Sequence, residues 1–105
     1  MKITTCSIVA AFFLLGPIHE SAAKTQMGTP DCGEWLNKGE FKNVFNMWLL
    51  GFISGANWAS DSKKDLLKDI SNFQAYVWVD NYCRKNPLKN LGQAAAALVL
   101  ELEGN

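Results

Sequence analysis

The stretch that decides the fold is "VDNYCRKNPLKNLGQAAAALV", residues 79–99. Its first part continues a helical pattern, in which apolar side chains recur every three or four residues up to Cys83. Pro87 ends this helix, because a proline pushes the preceding residue out of the helical region. Asn90 and Gln93 then have the spacing of a capping box, which satisfies the first backbone N–H groups of a new helix. The run therefore predicts two consecutive helices joined by a short turn.

A short helix is predicted near the start of the domain. Thr29 has the side chain of a helix N-cap, Pro30 suits the first helical position, and Asp31 suits the first turn, where the helix dipole favours an acid. We expect this helix to end at the "NKGE" segment, residues 37–40. It would deliver Cys32 and Trp35 to the core.

Two longer helices are predicted between this short helix and the turn at Pro87. The first runs from about residue 40 to about residue 60 and is amphipathic with a broad apolar face. Its apolar residues are Phe41, Phe45, Trp48, Phe52 and Ala56, widened by Val44, Leu49 and Ala59. Ser71 and Gln74 form a capping box for the next helix, which runs toward Cys83. The fold is therefore predicted to be all-α, a small bundle of three main helices plus a short N-terminal helix.

Residues 1–23 have the features of a secretory signal peptide. The chain starts with Met1 and the basic Lys2, continues with the apolar run "ITTCSIVAAFFLLG", and reaches small residues, "SAA", at 21–23. The apolar run is shorter than the roughly 20 residues that span a membrane, which disfavours an uncleaved anchor. Cleavage after Ala23 is therefore predicted, leaving one small helical domain, residues 24–105.

The cysteine count indicates one disulfide. Residues 24–105 contain two cysteines, Cys32 and Cys83, and no histidine. Two cysteines in an exported chain, without further ligands for a metal, are typical of a structural disulfide. The bridge would close a loop of about 50 residues and stabilise the fold by roughly 4 kcal/mol. The alternative is a reactive Cys83, whose thiolate only Arg84 and Lys85 could favour.

Gly51 and Gly55 are four residues apart and therefore share one face of their helix. Glycine lowers helix propensity by about 1 kcal/mol, so two on one face indicate close packing against another backbone. Packing against a helix of the same chain is the prediction, and pairing of two copies through this small-xxx-small motif is the alternative. The charged segment "DSKKDLLKD", residues 61–69, lacks the spacing of a calcium loop and predicts a solvated turn or short helix.

The sequence lacks the parts of most enzymes. Residues 24–105 have no histidine for acid–base catalysis, no glycine-rich phosphate loop and no cysteine or histidine pair at metal-ligand spacing. Acidic pairs such as Glu34 and Asp80 are expected to be solvated, and the basic residues Arg84, Lys85 and Lys89 to complement a helix end. A formal net charge of zero disfavours nucleic acid as a partner. We therefore predict no catalysis, no cofactor and no metal.

The remaining unusual feature is four tryptophans in a small domain, Trp35, Trp48, Trp58 and Trp78. Large aromatic side chains are core residues by default in so small a protein. However, Trp48 and Trp58 lie on different sides of one helix, and Trp78 lies on a helix that is apolar nearly all round. At least one of these three is therefore a candidate for an exposed protein-binding patch, where aromatic anchors are enriched.

The layout of the chain resembles the periplasmic HdeA/HdeB-type helical proteins. The resemblance rests on a signal peptide, a first cysteine ahead of a short helix, "WLLGFISGANWA" at 48–59, and "WVDNYCRKNPLKNL" leading into an alanine-rich helix. The segment "YCRKNPLKNL", residues 82–91, is especially similar to the second-cysteine region of HdeB. The combination of "GFISG" and "NYCRKNP" is also similar to the Tai-type immunity proteins of type VI secretion, which are likewise helical.

The first resemblance implies an acid-stress chaperone, a dimer at neutral pH that loosens in acid and holds unfolding periplasmic proteins. The Cys32–Cys83 disulfide would then keep the loosened chain compact. Protonating the nine acidic side chains of residues 24–105 would leave nine basic ones uncompensated. The second resemblance implies an inhibitor that neutralises a secreted toxin. Either way we expect a periplasmic, non-enzymatic protein that binds other proteins, with a homodimer as a candidate assembly and no stable membrane insertion.

Overall fold

The computed structural model describes residues 25–104, and this part of the chain folds into helices. A short helix, α1, spans Cys32–Leu36, and a 3₁₀ turn, Gly39–Phe41, leads into α2, which spans Lys42–Ala59. Helix α3 spans Asn72–Lys85 and α4 spans Leu91–Gly104. No β-strand occurs within residues 25–104, so the predicted all-α fold is confirmed. The predicted signal peptide, residues 1–23, lies outside the described residues.

The two capping boxes predicted for the longer helices are both present. At the start of α3, Gln74 N–H donates to Ser71 Oγ over 3.1 Å, and Ser71 N–H donates to Gln74 Oε1 over 2.8 Å. At the start of α4, Gln93 N–H donates to Asn90 Oδ1 over 2.8 Å, and Asn90 N–H donates to Gln93 Oε1 over 3.0 Å. These local hydrogen bonds satisfy backbone donors that a helix leaves free at its first turn.

The cap of α1 differs from the prediction. Asp31, not Thr29, is the N-cap, because its side chain accepts from Glu34 N–H over 2.7 Å while Glu34 Oε1 accepts from Asp31 N–H. The Thr29 hydroxyl instead accepts from Gly92 N–H of α4 over 2.9 Å. Thr29 therefore joins two helices where the sequence predicts a local cap.

The segment that precedes α1 also contacts the folded domain. Gln26 Nε2 donates to Gly92 O, and the carbonyl of Met27 accepts from Trp48 Nε1 over 3.1 Å. A Cβ at Gly92 would collide with the side chain of Gln26, so glycine allows this close approach. Gln26, Met27 and Thr29 thus hydrogen-bond to α2 or α4 and hold this segment against the domain.

Helix α4 forms the centre of the bundle, since it packs against both α2 and α3, while α1 packs against α3. The buried core is made of apolar side chains from all four helices: Cys32, Trp35, Leu49, Ile53, Ala75, Val79, Cys83, Leu91, Ala94, Ala95 and Leu98. The predicted Cys32–Cys83 disulfide is confirmed, with a Cα–Cα distance of 5.0 Å, and both cysteines are fully buried. The bridge fastens α1 to α3 within this core.

Helix α2 is turned relative to the apolar face predicted from its sequence. Its buried residues are Asn46, Leu49 and Ile53, whereas Val44 and Ala59 are exposed, as is Phe41 in the 3₁₀ turn before it. The prediction that Phe41, Val44 and Ala59 belong to the core-facing side is therefore wrong. Asn46 Oδ1 is also buried without a hydrogen-bond partner in the described part of the chain, and an unpaired buried acceptor costs free energy.

Candidate functional site

The most distinctive surface of the molecule is the side of α2 that points away from the core. We call it the outer face of α2 and define it by six exposed residues, Val44, Met47, Gly51, Ser54, Gly55 and Trp58. A helix advances about 100° per residue, which places all six on one side of α2, opposite Leu49 and Ile53. The large members are open to solvent, with Trp58 90%, Met47 66% and Val44 63% exposed.

The outer face of α2 carries no charge. Between Lys42 and Asp61 the sequence contains no acidic or basic residue. A helix at a protein surface typically turns charged side chains outward, and apolar residues on all sides are typical of a helix that is covered. A surface that lacks charged residues and exposes aromatic and Met side chains has the composition of a protein-binding surface. The geometry therefore marks this face as a candidate binding surface.

Trp58 is the one tryptophan of the four that is exposed. Trp48 is half-buried, stacked on Phe52 with ring centroids 5.3 Å apart, and Trp78 is half-buried against Tyr82 at 5.8 Å. Trp58 is thus the candidate whose side chain is exposed. Trp48 and Trp78, the other two predicted candidates, contribute their rings mainly to the packing of the domain.

The prediction that Gly51 and Gly55 pack against another helix of the same chain is wrong. Both glycines are exposed, and no atom of a neighbouring element among residues 25–104 lies within 4 Å of the position that a Cβ would occupy. The two glycines instead lie at the middle of the outer face of α2. They leave a flat strip of backbone between Val44 and Met47 at one end and Trp58 at the other.

A second apolar feature adjoins this face. A groove of about 290 Å³ lies between α2, the start of α3 and the segment that joins them. It is lined mainly by apolar side chains, and no charged residue contributes to it: Leu50, Ile53, Ser54, Leu67, Ile70, Ser71, Asn72 and Ala75. Ser54 belongs to both the groove and the outer face of α2, so the two surfaces are continuous.

A polar cluster lies at the edge of the core. Its residues are close in sequence to Cys32 of α1 or to Cys83 of α3. Asp80 Oδ1 accepts from the buried Trp35 Nε1 over 2.7 Å and lies 3.8 Å from Lys38 Nζ. Lys38 Nζ also donates to the Trp35 carbonyl over 2.9 Å and lies 3.8 Å from the centre of a Trp35 ring. This is the one ion pair found between residues 25 and 104, and it ties the end of α1 to α3.

The charge of Lys38 is poorly accommodated in this cluster. Burial lowers the pKa of Lys38 from its ordinary value of 10.5, and Asp80 opposes this effect, while repulsion from Lys42 and Arg84 adds to it. A lowered pKa means that the folded state disfavours the ammonium form. The negative charge of Asp80 therefore offsets part of the cost of holding the Lys38 ammonium group in this half-buried place.

The expectation that Asp80 is a solvated acid is therefore wrong, and a signal for its role was present. Trp35 follows Cys32 by three residues, and Asp80 precedes Cys83 by three. Once the two cysteines are bonded, residues one turn away on two antiparallel helices face each other. Glu34, the other acid considered, belongs to the cap of α1 and does not pair with Asp80.

The remaining chemistry-bearing residues form no centre. No group of three or more Cys, His, Asp or Glu side chains in the described part of the chain could hold a metal ion. Arg84 and Lys85 lie in the last turn of α3, where the helix dipole favours basic residues. None of the helices within residues 25–104 is long and apolar enough to cross a membrane. Comparison of the chain with protein-family models, curated proteins and solved structures finds no match.

Proposed function

We propose that this protein binds other proteins without catalysis, as a periplasmic acid-stress chaperone of the HdeA/HdeB type. The observation that carries the proposal is α2, an 18-residue helix that is apolar on both its inner and outer faces and has no charged residue after Lys42. Release of such a helix would expose apolar surface on the helix and on the core beneath it. Unfolding clients bind to surfaces of that kind.

The distribution of covalent and ionic links favours α2 as the element that loosens. The disulfide and the Lys38–Asp80 pair both fasten α1 to α3, and neither involves α2. The inner face of α2 includes Asn46, whose Oδ1 is buried without a partner among residues 25–104, at a cost in free energy. In acid the carboxylates of the chain become protonated and the basic side chains repel one another, so the weakest contacts are expected to open first.

The contribution of the Lys38–Asp80 pair to this acid response can be tested separately. Because burial lowers the pKa of Lys38, its charge costs stability at any pH well below that pKa, and Asp80 offsets part of the cost. This offset exists only while Asp80 carries its negative charge. The variant Lys38→Met keeps an aliphatic stem over Trp35. When the pH is lowered from 7 to 3, we expect its free energy of unfolding to fall by about 1 kcal/mol less than that of wild type. Urea unfolding at both pH values measures the difference.

Lys68→Met is the matched control for this prediction. It removes the same charge from an exposed position, so it changes the general repulsion in acid equally. Its loss of stability between the two pH values should remain close to that of wild type. If Lys38→Met and Lys68→Met respond alike, the pair at the core edge does not contribute to acid sensitivity.

The chaperone function is tested directly in acid. We expect the exported protein at about pH 3 to bind an apolar dye and to suppress light scattering from an aggregating client, and to do neither at pH 7. A protein that keeps its neutral-pH structure in acid, binds no dye and leaves client aggregation unchanged would exclude the chaperone function.

A periplasmic immunity protein that neutralises a secreted toxin is the second candidate. The observation that favours it is Trp58, which is 90% exposed in the folded state and therefore available as an anchor without any acid-induced change. An immunity gene is expected beside the gene of a secreted effector. Purified effector should then bind the wild-type protein at pH 7 at least tenfold more tightly than Trp58→Ala.

A further inference from the structure

We propose that residues 26–29 form a strap which, while seated on α4, holds the first half of α2 against the bundle. The proposal rests on the proposed function only in naming α2 as the helix that opens. The strap and α2 can be followed at neutral pH without acid or a client protein, so this proposal can fail while the chaperone proposal stands, and the reverse. Three features support the strap: its contacts, its anchored end, and the backbone of Gly28.

The strap connects α4 to α2 through three hydrogen bonds. Thr29 Oγ1 accepts from Gly92 N–H over 2.9 Å, and Gln26 Nε2 donates to the Gly92 carbonyl over 3.4 Å. Between these two residues, the Met27 carbonyl accepts from Trp48 Nε1 of α2 over 3.1 Å. Gly92 is buried in the first turn of α4, and the side chain of Gln26 fills the space that a Cβ would need there. The strap thus has a fitted seat on α4 and a contact with α2.

The C-terminal end of the strap lies beside the disulfide and is fixed there. The Pro30 carbonyl accepts from Leu91 N–H over 2.8 Å, and Cys32 N–H donates to the Lys89 carbonyl over 2.9 Å. Cys32 is in turn bonded to Cys83 of α3. The strap is therefore held at this end by α4 and by the disulfide, while its other end reaches across to α2.

The contact with Trp48 is where the strap holds α2. Among residues 25–104, it is the one side-chain hydrogen bond that joins the first half of α2 to another element. The Trp48 ring stacks on Phe52 one turn later, with centroids 5.3 Å apart, so the indole is packed on the body of its own helix. The remaining side-chain hydrogen bonds of α2 in this range lie near its C-terminal end, at Asn57. The first half of α2 can therefore leave α4 only if its connection through the strap breaks.

Gly28 gives the strap its turn. Its φ is +71°, in the left-handed region where a residue with a Cβ is strained. It separates the carbonyl that contacts α2 from the hydroxyl that contacts α4. A Cβ at Gly28 would lie 3.8 Å from Trp48 Nε1, which is an ordinary contact, so the turn and not the space requires glycine. The strap is therefore a shaped segment, and its contact with α2 depends on its seat on α4.

The first test follows the opening of α2 by hydrogen exchange of its backbone amides at pH 7, using Ile53 for α2 and Val79 of α3 for global unfolding. We expect Ile53 to exchange faster than Val79 in wild type. The seat variant, Gln26→Ala with Thr29→Val, removes both hydrogen bonds to α4. It should raise the exchange rate of Ile53 about fivefold, because the unseated strap no longer presents its carbonyl to α2.

The second test asks whether the seat and the contact with α2 act as one connection. Trp48→Phe removes the indole N–H and should raise the exchange rate of Ile53 at least about fivefold. Combined with the seat variant, it should add less than about twofold, because both changes break the same connection. Gly28→Ala strains the turn and should raise the rate about fivefold without removing a side chain. Trp78→Phe, the matched loss of an indole on α3, should leave Ile53 within about twofold of wild type.

Ser71→Ala is the control for global stability. It removes the cap of α3, which lies outside the strap, so it should raise the exchange rate of Val79 about fivefold and leave Ile53 within about twofold of wild type. Equal exchange of α2 and α3 in wild type, a seat variant that leaves Ile53 unchanged, or effects of the seat variant and Trp48→Phe that multiply in full would each overturn the proposal. Failure of the acid test alongside the expected exchange rates would exclude the chaperone and not the strap.

Discussion

Replacing both cysteines, Cys32→Ala with Cys83→Ala, is expected to lower the free energy of unfolding by about 4 kcal/mol. The disulfide joins residues 51 positions apart, so its loss frees a long loop in the unfolded chain. Both cysteines are fully buried in the core, and replacement by the smaller alanine adds a packing loss. Because the free energy of unfolding of a small domain is low, we expect the double variant to be mostly unfolded at 37 °C.

The measurement is urea unfolding followed by circular dichroism, with reductant as the control. Reductant added to unfolded wild type before refolding should lower its midpoint most of the way to that of the double variant, which also carries the packing loss. The midpoint of the double variant should not respond to reductant. Equal midpoints for oxidised wild type and the double variant would show that the bridge between α1 and α3 contributes nothing to stability.

Leu98→Ala is expected to lower the free energy of unfolding by about 2 to 5 kcal/mol, the range for truncating a buried leucine. Leu98 is 1% exposed and belongs to the buried core on α4, the helix that packs against both α2 and α3. A core at native packing density closes only partly around the cavity that this truncation leaves.

Leu100→Ala provides the matched control, with the same substitution two residues farther along the same helix. Leu100 is 68% exposed, and its truncation should change the free energy of unfolding by no more than about 0.5 kcal/mol. Unfolding both variants in urea tests the orientation of α4. Similar losses for the two variants would mean that α4 does not present Leu98 to the core and Leu100 to solvent.

Features that depend on near neighbours in sequence were predictable. The capping boxes at Ser71 and Asn90 and the end of α3 before Pro87 follow from hydrogen bonds and steric limits within four residues. The disulfide was predictable for a different reason: residues 24–105 contain two cysteines, which allow one pairing. Local chemistry therefore sufficed to predict the helices, and the cysteine count sufficed to predict the disulfide.

The orientation of α2 was not predictable in the same way. Periodicity identifies a core face only when the opposite face is polar, and α2 has Leu49 and Ile53 on one side and Val44, Met47 and Trp58 on the other. Both sides therefore satisfied the helical pattern. The contacts with α4 select which side is buried, and those contacts join residues that are distant in sequence.

The outer face of α2 was only partly predictable, because it also depends on how α2 packs. Three tryptophans were candidates for an exposed patch, but the position of Gly51 and Gly55 on the exposed side follows from tertiary packing. Thr29 illustrates the general difficulty, since a residue well suited to a local cap hydrogen-bonds instead to Gly92 on another helix. Local propensity indicates what a side chain can do, and the fold decides which partner it meets.

The backbone near the disulfide determines how the domain would respond to a pulling force. Leu91 N–H donates to the Pro30 carbonyl and Cys32 N–H donates to the Lys89 carbonyl, so the segments that enter and leave the 32–83 loop lie side by side at the bridge. Tension applied to the two ends of the chain would peel away α4 and then pass through the covalent S–S bond. The residues between the two cysteines, which are 51 positions apart and enclose the whole of α2, would bear no load. About 170 Å of contour length would thus stay hidden until the bond is reduced.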